Sequence, residues 1–226
     1  MRLGCRKSKT ELAALLAARR PKRILPPMGH PTSVLSALRK AGLLLKQDKS
    51  LPNVVTAITG ESLAASWWSH PRAADIYAAL EQLSERSDVI ETKLIASKVT
   101  FVLAPLWPAL LGVATCREPW QLAGLSAPAR RLLASVEGAR EVAASGALVK
   151  ELEGRLAVRS EQRHTPSGKH VLMLESWSSW AARLGVKASS VAKGKAALER
   201  AASALGAPLS VLPWSTGRSR GRSVKR

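Results

Sequence analysis

A mainly helical α+β fold with short β-hairpins is what this sequence predicts, and three observations lead there. Alanine and leucine are abundant while only 4% of residues are aromatic, a composition that favours an aliphatic, helix-rich core. Apolar residues recur at helical spacing in several segments, and two stretches alternate as strands do around a short turn. With 46% hydrophobic residues among 226, there is enough apolar surface for one large or two small cores.

From the N-terminus, residues 9–20 and 31–46 read as two helices separated by a Pro-rich stretch. In the second, Val34, Leu35, Leu38 and Ala41 share one face, away from Arg39 and Lys40. Beyond a loop at 50–53, Thr59 or Gly60 ahead of Glu61 looks like a helix start. After Trp67-Trp68-Ser69-His70-Pro71 comes an amphipathic helix, with Ala73, Ile76, Tyr77, Leu80 and Leu83 as its stripe and Asp75, Glu81 and Glu85 off it. Residues 89–95 and 98–103 form two strands joined at Ala96-Ser97. Helix followed by hairpin is the ending of a winged-helix module.

The uncharged run 99–116 is about long enough to enter a bilayer. Pro105 and Pro108 interrupt it, so a buried strand followed by a buried helix is the better reading, with no membrane insertion. A further helix at 124–136 opens with Ser126 as N-cap and Pro128 in its first turn. The pattern then returns as a helix at 147–156, strands at 158–164 and 169–174 around Thr165-Pro166-Ser167-Gly168, and a helix carrying Trp177 and Trp180. Residues 97–103 with Trp107 line up against 168–174 with Trp177, a weak internal repeat. A last helix spans about 189–204, with Val191, Leu198 and Leu205 every seven residues, and an Arg-rich tail follows. The predicted organisation is a basic helical region at 1–58, winged-helix-like units at 59–138 and 139–208, and a disordered tail at 209–226.

Charge is concentrated at the ends. Residues 1–60 carry 12 basic and 2 acidic side chains, residues 61–180 carry 13 of each, and residues 181–226 carry 10 and 1, for a net charge of +19. A neutral body with two cationic ends attracts a phosphate backbone whatever its base sequence, so the expected partner is nucleic acid, in particular duplex DNA. An acidic protein partner is the competing reading. Cys5 and Cys116 suggest neither a disulfide framework nor a zinc site, which fits a reducing, cytoplasmic setting. Glu11 and Arg19-Arg20 bracket the short apolar run 12–18, which therefore reads as a surface helix and not a signal peptide. No Walker, GxGxxG or GxSxG motif supports nucleotide hydrolysis, dinucleotide chemistry or hydrolase chemistry, and no cofactor is expected.

If the hairpins are wings, Lys93 and Lys98 in the first and Arg159, Arg163, His164, Lys169 and His170 in the second are candidate phosphate contacts. Strand-edge cations that merely discourage edge pairing are the plain alternative. Lys193 and Lys195 on the last helix, with Arg218, Arg220 and Arg222 in the tail, extend the candidate surface. His164 and His170 flank a turn, but no third ligand with zinc spacing accompanies them, so no metal is expected. Glu61, Glu161 and Glu175 are candidates for acid/base work, or simply capping and ion-pair residues. The tryptophans read as core anchors at element junctions, with Trp214 the exception available for stacking.

The residues Glu61-Ser62-Leu63-Ala64, Trp67-Trp68-Ser69-His70-Pro71, Glu91-Thr92-Lys93-Leu94, Lys98-Val99-Thr100-Phe101-Val102, Leu106-Trp107-Pro108-Ala109-Leu110 and Arg117-Glu118-Pro119-Trp120 resemble a bacterial winged-helix family related to AlkZ-type DNA glycosylases. The likeness spans about 60–205. It implies winged-helix units around a duplex, removal of alkylated or crosslinked bases, and no metal. Those glycosylases position water with a Gln-apolar-Gln motif; Gln47, Gln82, Gln121 and Gln162 are not spaced that way, so no catalytic residue is carried over. A DNA-binding protein acting in repair or regulation is the leading functional expectation, and a base-excision enzyme using Glu161 or Gln162 to position water is the second.

Overall fold

Gly42 decides how the first unit begins. The computed structural model describes residues 31–164 and 170–215, and in it the helix α1, Pro31–Ala41, stops one residue before Gly42 at φ 73°. The expected continuation to residue 46 is instead the strand β1, Leu43–Leu45. Burial explains the change. Leu43 and Leu45 enter one apolar cluster while Leu44 enters another, and all three are fully buried. A strand sends successive side chains to opposite faces, which a helix does not.

Asn53 then caps a short helix, α2 (Val54–Thr59), by accepting a hydrogen bond from the Thr56 amide. Gly60, at φ 80°, ends it. The expected helix start at Glu61 is therefore a helix end. A 3-10 turn at Trp67–Ser69 leads into α3 (Ala73–Ser84), whose buried residues are Ile76, Ala79, Leu80 and Leu83. Tyr77, read as part of that stripe, is exposed. It stands one residue after Ile76, about 100° around the helix.

The strands β2 (Val89–Ile95) and β3 (Lys98–Leu103) form the hairpin at Ala96-Ser97, and β3 also pairs antiparallel with β1. The sheet order is β1-β3-β2. β1 belongs to this sheet, and residues 58 and 59, between which a boundary is expected, both lie within α2. The run 99–116 resolves as expected into buried β3 and a buried helix, α4 (Trp107–Ala114). Among the described residues no helix is long and apolar enough to cross a membrane.

A short helix, α5 (Pro119–Leu122), connects to α6 (Ala127–Gly138), which Ser126 caps as its sequence predicts. Then β4 (Val142–Ala144), α7 (Ala147–Glu153), β5 (Arg159–His164) and β6 (His170–Glu175) build a second antiparallel sheet of order β4-β6-β5. α6 packs in one apolar cluster with α7 and β6, across the position 138/139 where a boundary is expected. The chain closes with α8 (Trp177–Leu184), α9 (Val191–Ala204) and a 3-10 turn at Leu209–Val211. The weak repeat has a structural counterpart. Both β3 and β6 are central strands followed by a Trp-led helix, and Trp107 meets Trp180 edge-on at 5.3 Å.

Three clusters organise the packing. One lies between the first sheet and α1 to α3, with Leu38, Ile58, Ile76 and Phe101. Another fills the second unit, with Leu133, Leu152 and Leu174. The largest covers the opposite face of the first sheet and gathers α4, α8 and α9, including Trp107, Trp180 and Leu198. Trp214 belongs to it and is 7% exposed, so the tryptophan expected to be free for stacking is a core residue.

Candidate nucleic-acid interface

The strand cations predicted as phosphate contacts are largely neutralised by the chain's own carboxylates. Lys93 on β2 donates to Glu153 of α7 at 2.5 Å, a bond joining the two units. Lys98 donates to Asp48 at 2.5 Å. Arg159 lies between Glu161 at 2.9 Å and Glu175 at 3.4 Å. Arg163 makes a two-pronged pair with Glu141 at 2.8 and 2.6 Å and also reaches Glu161. Lys195 donates to Glu118 at 2.5 Å. A cation whose counter-charge sits within hydrogen-bond distance projects little field at a phosphate.

Protonation follows from these pairs. Burial pushes the Glu161 carboxyl up, but Arg159 and Arg163 more than offset it and hold it below the ordinary glutamate value. Glu161 is thus a carboxylate at neutral pH, unable to donate a proton and a weaker base than a free glutamate. Glu175 is buried between Arg159 and Arg183, an ion-pair role. Glu61 is exposed and 3.2 Å from His70 Nε2. The register pairs His164 with His170 across the hairpin; Lys169, Arg218, Arg220 and Arg222 lie outside the described residues.

Several unpaired cations lie elsewhere. Lys40 at the end of α1, Lys49 in the loop after β1, Lys150 on α7, and Lys193 and Arg200 on α9 are exposed and enter no ion pair among the described residues. Of the strand and helix cations predicted from sequence, Lys193 keeps a free charge. By contrast α3 carries Asp75 and Glu81 on its exposed side and is followed by exposed Glu85, with Arg72 paired to Asp75.

Between the two units opens a cleft of about 660 Å³. Trp67, Trp68, Tyr77 and Leu80 are among its lining residues from the first unit, Arg159, Ser160, Glu161 and Gln162 line it from the second, and Lys46, Glu81 and Glu91 add charge to its wall. The base-excision candidates Glu161 and Gln162 are therefore brought opposite an aromatic group. Trp68 and Tyr77 are the residues that sequence reasoning missed here. A signal existed in the dipeptide Trp67-Trp68, since adjacent bulky side chains at a single turn do not enter one small core together; Trp67 is buried and Trp68 is 65% exposed. Neither a protein-family model, a curated protein nor a solved structure matches the chain.

Proposed function

We propose that this protein binds duplex DNA as a pair of winged-helix-type units in a reducing, cytoplasmic setting. The observation that carries the reading is the repeated topology. Helix, strand, helix or helices, then a hairpin, with the first strand beside the last, occurs in residues 31–103 and again in 127–175. That arrangement, on a chain of net charge +19, supplies a scaffold and a field for phosphate contacts. The acidic face of α3 makes the first unit's third helix a poor visitor to a groove. Contact is assigned instead to Lys193 and Arg200 on α9, to Lys40, Lys49 and Lys150, to the tip of the second hairpin, and to the charged ends.

The test is anisotropy of a labelled duplex across a salt series, comparing the full chain with one ending at Ser215. Ending there keeps Trp214 in its core. Steep loss of affinity with salt and retained binding by the shortened chain support the folded body as binder, and Lys193→Glu with Arg200→Glu then weakens binding at every sequence. Complete loss on shortening assigns the whole effect to the tail and overturns the reading.

A second reading, excision of damaged bases, is favoured by one observation: Glu161, held ionised, and Gln162 line the cleft beside exposed aromatic rings. Incubation with a panel of lesion-bearing duplexes tests it. Free base or abasic sites that disappear in Glu161→Gln support excision, and unaltered DNA removes it.

A further inference from the structure

We infer that the Trp68 and Tyr77 rings form a stacking platform for an unpaired base of a single-stranded nucleic acid. This rests on the nucleic-acid reading above and names a strand type that the duplex proposal does not. Trp68 is 65% exposed and Tyr77 48%, with ring centroids 6.1 Å apart. The indole of Trp68 is not loose. One face stacks on Trp67 at 4.0 Å and 25°, and Trp67 is itself buried. The other face is thus presented in a fixed orientation at the mouth of the cleft, at little entropic cost on binding.

The charge of the cleft identifies what enters it. Two cations, Lys46 and Arg159, face three carboxylates, Glu81, Glu91 and Glu161, so a phosphate gains nothing there. An uncharged heterocycle gains a π-face and, from the Glu81 and Glu91 carboxylates, acceptors for the donors on its edge. In a duplex the base faces are already stacked on one another. A single strand offers them free, so the platform discriminates by strandedness and tolerates sequence. The phosphates stay outside the cleft, in the field of the cationic chain.

The experiment compares three labelled probes with the full chain at low salt: an oligothymidylate, an abasic strand of equal length and charge, and a duplex. The proposal expects the oligothymidylate to bind more tightly than the abasic strand. Trp68→Ala then weakens the oligothymidylate roughly tenfold and leaves the abasic strand and duplex unchanged, while Trp68→Phe, which keeps a ring, recovers part of the loss. A melt of each variant checks that it is folded, and Tyr77→Ala, on the exposed side of α3, gives an independent reading should Trp68→Ala not fold. Equal binding of oligothymidylate and abasic strand, or unchanged affinity in both folded alanine variants, overturns the platform while leaving duplex binding intact. Competition by free thymidine at the same base concentration overturns the strand in favour of a nucleoside. Absence of binding to all three probes overturns the nucleic-acid reading itself.

Discussion

Ala96 and Ser97 turn the first hairpin with φ of 50° and 55°, the left-handed region that costs any residue bearing a Cβ. The chain accepts that cost because β2 and β3 flank the turn with register held by the sheet. Asn-Gly at these two positions is expected to raise stability by about 1 kcal/mol, measured by chemical denaturation. Asp48 works the other way. Burial alone would raise its carboxyl pKa, but Lys98 and the backbone amides of Ser50 and Leu51 hold it well below the usual carboxylate range. A depressed folded-state pKa means its contribution is present above the unfolded value of about 4 and is lost as pH falls below it. Asp48→Asn should therefore cost about 2 kcal/mol at neutral pH, and the variant and parent should converge in strong acid. A pH series of denaturation midpoints reads both. Asp48 was not legible as a structural residue in the sequence, because its partner Lys98 is 50 residues away.

Among elements, the contact of α4 with α9 is set by two glycines. A Cβ on Gly194 would stand 2.6 Å from the carbonyl oxygen of Ala109, and one on Gly112 would stand 2.4 Å from that of Ser189. Backbone atoms do not yield as a side-chain tip does. Gly194→Ala is expected to lose about 1–3 kcal/mol despite the better helix propensity of alanine. Gly138→Ala, with nothing within 4 Å, should be neutral or gain up to about 1 kcal/mol. Melting of the two variants side by side separates packing from propensity. Hairpins and longer helices were readable at this scale because period and capping are local, as Ser126 at α6 shows. The strand β1 was not, since three consecutive leucines carry no period and only two opposing cores assign them alternate faces. The stripe of α3 failed at Tyr77 for a related reason: a tyrosine beside an apolar stripe is buried or bare according to what covers it.

For the whole molecule, the shared cluster makes the two units interdependent. Trp180 follows the second sheet yet packs against Trp107, which follows the first. Trp180→Ala, removing a side chain 1% exposed, should cost about 3–5 kcal/mol and lower the unfolding of both units together. Coincident transitions by far-UV circular dichroism and tryptophan fluorescence check this, whereas two separated transitions point to independent units.

Composition and local pattern by themselves determined the α+β class, the hairpin at Ala96-Ser97, most of the helices, the strand and helix within 99–116, and a net charge concentrated at the ends. All of these depend on residues close in sequence or on simple counting. Tertiary structure decided which charges are available and which rings are bare. It pairs Lys93 with Glu153, Arg163 with Glu141 and Lys195 with Glu118, buries Trp214, and leaves Trp68 at the rim of a cleft made from both units. Electrostatic pairing and burial depend on distance in space, and the chain brings those partners together only when two sheets and their helices close on one core.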